Sequence, residues 1–211
     1  MRGIMTTKQK LKLITEKGVA VYPRLDKPDT KFNKRGVFST GLRLDISDPK
    51  VQEWMQTIEE VVTAEAAAAK RTAKKGVTIE TRLPFKTEQD EDGVDTGFIV
   101  ARFKLNASYD KDGETVEMTP TIIDSRKGPY RGPQIGAGSE LRIKHTVAEY
   151  TRTTDDGNLE AGVTLYMNVV QVIKLVAFVG NLTGFDEEEG YSSESFETEE
   201  TTDAGPDADF K

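Results

Sequence analysis

An apolar residue at every second position is the feature that most constrains the fold of this chain. The alternation starts after Gly76 and predicts strands at 77–83, 97–109, 115–124, 139–150 and 160–178. The pairs Asp92-Gly93, Asp112-Gly113 and Asp156-Gly157 predict tight turns, the last two as hairpins. Residues 36–46 alternate in the same way and predict a further, half-buried strand.

One long helix interrupts this run of strands. Asp48-Pro49 predicts its start, because an acidic cap and a proline in the first turn both favour a helix N-terminus. Six apolar residues follow at helical spacing: Val51, Trp54, Met55, Ile58, Val61 and Val62. Bases before Gly76 end the helix, and Trp54 is predicted to lie in the core. Since strands and helices do not alternate, we expect a mainly β protein, an OB-fold-type small barrel with an inserted α-helix.

Negative charge is concentrated at the C-terminus. Residues 186–211 hold eleven of the 36 acidic residues and one of the 29 bases, which leaves 28 bases and 25 acids before them. Residues 1–185 therefore carry about +3 and the tail −10. Such a tail is too charged to build a core, so we expect a folded domain over 1–185 and a disordered acidic tail over 186–211.

Composition excludes several classes of protein. The chain has no cysteine, and therefore no disulfide, thiolate metal site or cysteine nucleophile. No apolar run approaches the length of a membrane span, and the N-terminus lacks the apolar core of a signal peptide. These features predict a cytoplasmic protein that does not bind membranes.

Two strands present paired bases on the parity opposite to their apolar residues. Arg102 and Lys104 alternate with Ala101, Phe103 and Leu105, and Arg142 and Lys144 alternate with Leu141 and Ile143. Thr146 and Tyr150 share the outward parity of the second strand. In the last strand Val163, Leu165, Met167 and Val169 are predicted inside and Tyr166 outside. Bases interleaved with tyrosines suit single-stranded nucleic acid, since cations neutralise phosphates and rings stack on bases.

The same residues also have a purely structural interpretation. Lysine and arginine are common on the wet face of any strand, and Tyr150 and Tyr166 can be ordinary surface residues of a barrel. The functional interpretation depends on two strands offering the same base-x-base pattern in a chain with an anionic tail.

Catalysis has little support in the sequence. His145 is the only histidine, and its parity places it with the inward residues, as a packed side chain. The carboxylates of 88–92 lack the spacing of a calcium loop and predict a solvated loop. We therefore expect no enzymatic activity, no cofactor and no metal.

Several short blocks follow one another in a specific order along the chain. They are Asn33-Lys34-Arg35-Gly36-Val37-Phe38, Asp48-Pro49, Leu83-Pro84-Phe85, Arg102-Phe103-Lys104, Ala107-Ser108-Tyr109, Gly136-Ala137-Gly138-Ser139, Leu141-Arg142-Ile143-Lys144, Tyr150 and Leu175-Val176-Ala177-Phe178 before the acidic tail. In this order and spacing they resemble the single-stranded DNA-binding proteins of T-seven-type phages. The block from Gly136 to Lys144 is the most specific of them.

The resemblance implies an OB fold with an added helix, a basic and aromatic cleft for single-stranded DNA, and an acidic tail that shields the cleft and contacts replication proteins. By position, Arg142 and Lys144 match basic cleft residues and Tyr150 matches an aromatic that contacts DNA. Two departures stand out: Lys211 follows Phe210, where the family ends in an aromatic, and His145 stands where an aromatic is common.

We therefore predict a sequence-independent single-stranded DNA-binding protein of phage replication and recombination, in the cytoplasm of the infected bacterium. The predicted DNA-binding residues are Arg35, Arg102, Lys104, Tyr109, Tyr130, Arg142, Lys144, Tyr150 and Tyr166. Asp207, Asp209 and Phe210 are predicted to bind partners, a DNA polymerase or a helicase-primase, and to inhibit the cleft. A phage structural or interaction protein whose acidic tail only recruits partners is the main alternative, and a metal-dependent nuclease is a further one. The sequence is compatible with a homodimer and with a monomer.

Overall fold

A computed structural model describes residues 10–31 and 33–180 of the chain as a mainly β structure with one long helix. The helix α1 spans Pro49–Thr72. The strands in chain order are β1 Lys12–Ile14, β2 Gly18–Asp29, β3 Val37–Asp45, β4 Ile79–Arg82, β5 Phe85–Gln89, β6 Asp95–Asn106, β7 Ser108–Lys111, β8 Glu114–Glu117, β9 Thr121–Ile123, β10 Glu140–Thr153 and β11 Leu159–Lys174.

Five of the strands form a closed ring of pairings. The order is β10, β2, β3, β6 and β11, and β11 pairs again with β10. β6 and β11 run parallel, and the other four neighbouring pairs are antiparallel. β1 adds to β10, β5 to β6, and β4 and β9 to β11, while β7 and β8 form a separate hairpin. The expectation of a mainly β protein with an OB-type ring and one inserted helix is confirmed.

The core lies inside the ring and beneath the helix. Ala101, Phe103 and Leu105 of β6 are buried, and so are Leu141 and Ile143 of β10, as their alternation predicts. α1 packs on β10, β11 and β4 through its apolar stripe. Asp48 caps the helix by accepting from the Lys50 amide at 2.8 Å, and Lys70 and Arg71 lie in its last turn.

Trp54 and His145 join the helix to the ring. Both side chains are buried, which confirms their predicted packing. The Trp54 indole N–H donates to His145 Nε2 at 3.3 Å, and His145 Nδ1 lies 3.2 Å from the Ile143 carbonyl. The His145 ring also meets the Phe103 ring edge-on, with centroids 5.1 Å apart. Burial lowers the pKa of His145 to about 4, so the ring is neutral at pH 7.

Two predicted strands are each divided in the structure. The segment 97–109 contains β6 and the start of β7, because the chain after Ala107 leaves the ring and pairs with β8 as a separate hairpin. The segment 115–124 contains β8 and β9, separated around Pro120, which has no amide hydrogen for a ladder. The turns at Asp112-Gly113 and Asp156-Gly157 join β7 to β8 and β10 to β11, as predicted.

Three strands were not predicted from the sequence. β1 is only three residues long, and β2 contains Pro23 and Pro28, where its register against β3 is irregular. β5 contradicts the solvated loop predicted for 88–92. Its Glu88 accepts from Arg43 Nε at 2.8 Å and from the Thr96 hydroxyl at 2.7 Å, and only the following residues turn.

Two predicted orientations are wrong. Asn168 is an extra residue on β11, since Lys144 pairs with Val169 and His145 with Met167. This bulge reverses the parity, so Val170 is buried in place of the predicted Val169. Thr146 is buried as well, because it pairs with both β1 and β11 and its hydroxyl donates to Asn168 Oδ1 at 2.9 Å.

Candidate nucleic-acid interface

A cleft of about 380 Å³ lies on the outer surface of the ring, where β4, β5, β6, β10 and β11 meet. Its charged lining residues are all cationic: Arg82, Lys86, Arg102 and Lys104. Tyr150 of β10 lies on its wall, and within the described ranges no carboxylate lines it. We call this the basic cleft. Cations beside an accessible aromatic ring are the combination that a single nucleic-acid strand requires.

The alternation of β6 is what exposes Arg102 and Lys104. Both side chains are exposed, while Ala101, Phe103 and Leu105, which alternate with them, are buried in the ring. The Arg102 amide also donates to the Pro84 carbonyl at 2.9 Å, which ties β6 to the segment that carries Arg82 and Lys86. Over the residues that the structure describes, neither Arg102 nor Lys104 forms a salt bridge. Their charges are therefore available to an anionic ligand.

Tyr150 is held to the cleft wall by its hydroxyl. It donates to Glu160 Oε1 at 2.9 Å, and that carboxylate also accepts from Arg152 and Arg82. Burial, and then the hydrogen bond and negative charge of Glu160, raise the pKa of Tyr150. The bonds from Arg152, Tyr150 and Arg82 outweigh the burial of Glu160 and lower its pKa to about 2. Tyr150 is thus a neutral phenol whose ring is held in place beside the cations.

A second cavity of about 380 Å³, which we call the side cleft, is lined by Tyr109, Tyr166 and Lys10 among others. Tyr166 pairs with Lys104 across β6 and β11, and the Lys104 ammonium lies 5.7 Å from the centroid of its ring. This contact is within the range of a cation–π interaction. Lys104 therefore lines the basic cleft and also contacts a residue of the side cleft.

Arg142 and Lys144 lie farther along β10. The distance from Arg142 to Tyr150 is about 26 Å at the usual 3.3 Å per residue. The Arg142 Nε donates to the Thr15 carbonyl at 3.2 Å, and its NH2 group lies 3.6 Å from Glu16. Lys144 is exposed where β1 pairs with β10. The structure places these two bases on the outward parity of β10, as predicted, but outside the lining of both clefts.

Arg35 and Tyr130 line neither cleft, and each is held by a polar contact. The Arg35 guanidinium forms a salt bridge to Asp110 at 2.6 Å, beside the β7–β8 hairpin. Tyr130 packs on the core, and its hydroxyl donates to the Pro133 carbonyl at 2.5 Å. The structure does not bring either residue together with Tyr150.

Arg82, Lys86 and Glu160 are site residues that the sequence analysis missed. β4 pairs in parallel with β11, which places Arg82 beside Gly162, the partner of Tyr150. Parallel pairing between segments about 80 residues apart has no signal in the sequence. The outward parity of Arg82 in the predicted strand 77–83 was the one signal that pointed to it.

The acidic tail, with Asp207, Asp209 and Phe210, lies outside the described residues. In the ranges that the structure covers, no group of three or more His, Asp or Glu side chains suits a metal ion. No helix there is long and apolar enough to cross a membrane.

A family model and two phage proteins match most of this chain in sequence. A protein-family model described as "Single-stranded DNA-binding protein, Bacteriophage T7" matches residues 17–175. The single-stranded DNA-binding protein of Enterobacteria phage T3 is 31% identical over 179 residues, which cover 75% of this chain and 73% of that protein. The single-stranded DNA-binding protein of Escherichia phage T7 is 28% identical over 162 residues, which cover 70% of this chain and 66% of that protein.

Solved structures are similar as well. The crystal structure of gp2.5, a single-stranded DNA-binding protein encoded by bacteriophage T7, has a TM-score of 0.66 at 27% identity and covers 87% of this chain and 99% of that one. The single-stranded DNA-binding protein of bacteriophage Enc34 in complex with single-stranded DNA has a TM-score of 0.52 at 13% identity. That match covers 80% of this chain and 89% of the Enc34 chain. The second likeness concerns the fold alone.

Proposed function

Because this chain belongs to the bacteriophage T7 family of single-stranded DNA-binding proteins, we propose that it binds single-stranded DNA without sequence preference and acts in phage replication and recombination. The observation that carries the proposal is the basic cleft, which is lined by four cations and by Tyr150. We propose a binding domain over 1–185 and localisation in the cytoplasm of the infected bacterium.

The chemistry of the cleft favours a ligand with phosphates and flat bases. Arg102 and Lys104 have no salt-bridge partner in the described part of the chain, so a phosphate can replace water around them. Cations recognise phosphates of any sequence, and an aromatic ring stacks on any base. Tyr166 and Tyr109 in the side cleft then offer further stacking positions beyond Lys104. We propose that one strand passes from the basic cleft to the side cleft.

The acidic tail, residues 186–211, is proposed to compete with DNA and to bind a DNA polymerase or a helicase-primase. Its eleven carboxylates resemble a phosphodiester strand in charge, and the covalent link raises their effective concentration at the cleft. Asp207, Asp209 and Phe210 are the proposed contacts. The alternative, an interaction protein whose tail only recruits partners, leaves the cleft without a ligand.

Titration with oligo-dT, followed by fluorescence anisotropy at several salt concentrations, tests the proposal. Arg102→Ala/Lys104→Ala should weaken binding, and the plot of log K against log salt should become shallower by about 1.4, or about 0.7 for each lost phosphate contact. Lys74→Ala/Lys75→Ala is the matched control, since it removes the same charge from residues that line neither cleft.

Three results would contradict the proposal. Absence of oligo-dT binding by the wild-type protein at low salt would favour the interaction protein. Equal salt slopes for the cleft variant and the Lys74/Lys75 control would remove Arg102 and Lys104 from the binding surface. Degradation of the oligonucleotide with Mg²⁺ would favour the nuclease.

A further inference from the structure

Glu160 is a buried carboxylate directly beside a surface proposed to bind an anion. Its side chain is 9% exposed, and it accepts from three donors. The Tyr150 hydroxyl and Arg152 Nε donate to Oε1, both at 2.9 Å, and Arg82 NH1 donates to Oε2 at 3.1 Å. A negative charge here opposes DNA binding through Coulomb repulsion, so its presence requires a physical reason.

The strand register explains how one carboxylate reaches three donors. Glu160 pairs with Arg152 across β10 and β11, and two residues along β11, Gly162 pairs with Tyr150 on one side and Arg82 on the other. Residues two apart in a strand share a face of the sheet. Glu160 therefore lies between Arg152, Tyr150 and Arg82 on the outer face of three adjacent strands.

Gly162 gives the Tyr150 ring its space. A Cβ atom at residue 162 would lie 2.8 Å from the Tyr150 hydroxyl oxygen and 2.9 Å from Cζ, closer than real contacts allow. The phenol end of the Tyr150 ring therefore lies over the backbone of Gly162. Since Gly162 has no side chain, it does not fix the orientation of the ring. The hydroxyl bond to Glu160 supplies that orientation.

The arginines limit the electrostatic cost of the carboxylate. Arg82 and Arg152 each form a salt bridge to Glu160 and keep exposed side chains, so the cluster of three retains one net positive charge. The Arg152 guanidinium also lies 6.0 Å from the centroid of the Tyr150 ring. The cluster can therefore fix the ring without making the cleft anionic.

We propose that Glu160 is a positioning residue for base stacking: through the Tyr150 hydroxyl it fixes the ring at the wall of the basic cleft, where a nucleobase of single-stranded DNA stacks. The inference deepens the proposed function and rests on it. The hydrogen bond from Tyr150 to Glu160 acts on the contact with bases, whereas the charge of Glu160 acts on the contact with phosphates.

Two probes separate these contacts in the full-length protein. Oligo-dT carries phosphates and bases, and an abasic oligonucleotide of the same length carries phosphates without bases. The measured quantity is the ratio of the two affinities. Glu160→Gln should lower this ratio about fivefold, because a neutral amide oxygen is a weaker acceptor for the Tyr150 hydroxyl than a carboxylate. Tyr150→Phe, which removes only the hydroxyl, should lower it by a similar factor.

Glu80→Gln is the matched control. Glu80 is the β4 partner of Glu160 in the register, is exposed, and makes no contact with Tyr150 in the described part of the chain, so it reports the loss of one negative charge at nearly the same place. It should leave the ratio within about twofold, a change of under roughly half a kcal/mol. The double variant Glu160→Gln/Tyr150→Phe should lose no more than Tyr150→Phe alone, because without the hydroxyl residue 160 has no bond to Tyr150 that the substitution could weaken.

The outcomes distinguish failure of the positioning role of Glu160 from failure of the proposed DNA binding. An unchanged ratio in Glu160→Gln, or an additive loss in the double variant, overturns the positioning role while DNA binding by the wild type stands. A wild-type protein that binds both probes equally also overturns it. A wild type that binds neither probe overturns the proposed function itself. If Glu160→Gln does not fold, as judged by its thermal transition, Tyr150→Phe decides alone.

Discussion

Acid should destabilise this protein through one buried ring, His145. The neutral ring accepts from the Trp54 indole N–H and contacts the Ile143 carbonyl, so Nδ1 carries the hydrogen. Protonation would place a second N–H against the Trp54 donor in a buried site. Burial lowers the pKa of His145 to about 4 from its ordinary 6.5. The unfolded chain therefore takes up this proton first as the pH falls.

The sign and size of the effect follow from proton linkage. The contribution of His145 is present above pH 6.5 and is lost as the pH falls toward 4, because only the unfolded state binds the proton in that window. The free energy of unfolding should fall by about 2 kcal/mol between pH 7 and pH 5, and by about 3 kcal/mol by pH 4.

Urea unfolding, followed by the fluorescence of the single tryptophan, measures this loss. His145→Gln is the control, since glutamine has a donor and an acceptor but does not titrate in this range. The wild-type free energy minus that of the variant removes the contributions of the carboxylates. A difference that stays constant from pH 7 to pH 5 would refute the buried neutral histidine.

Three further predictions concern DNA binding. Tyr150→Ala should cost about 1–3 kcal/mol of affinity for oligo-dT, because it removes the stacking ring. Tyr150→Phe should cost less, about 1 kcal/mol at most, because the ring stays and only its bond to Glu160 is lost; equal losses in a titration would show that the ring itself contributes nothing. Arg142→Ala/Lys144→Ala should reduce the salt slope by about 0.7 for each lost contact, and an unchanged slope would exclude both bases from the interface. A protein ending at Gly184 should bind oligo-dT more tightly at low salt, with an advantage that shrinks as salt rises. Equal affinities at low salt would leave the tail as a partner-binding segment only.

Short-range periodicity made part of the site predictable. Alternation placed Arg102 and Lys104 on the exposed face of β6, and it placed His145 inside the ring. The parity argument failed where an extra residue enters a strand, because Asn168 reverses every side chain after it and buries Val170 in place of Val169. A bulge of this kind depends on the partner strand and leaves no mark in the alternation.

Local patterns in the sequence determined the element types, the helix with its Asp48 cap, the turns at aspartate-glycine pairs, and the uneven charge of body and tail. These depend on residues within a few positions of one another, so a single chain displays them directly. Tertiary structure alone decided which cations share a cleft with Tyr150. Parallel pairing of β4 with β11 brings Arg82 beside Tyr150, and the same register places Glu160 between two arginines. Arg82 and Glu160 are 78 residues apart in the chain, so their contact depends on how distant segments are brought together rather than on any local pattern.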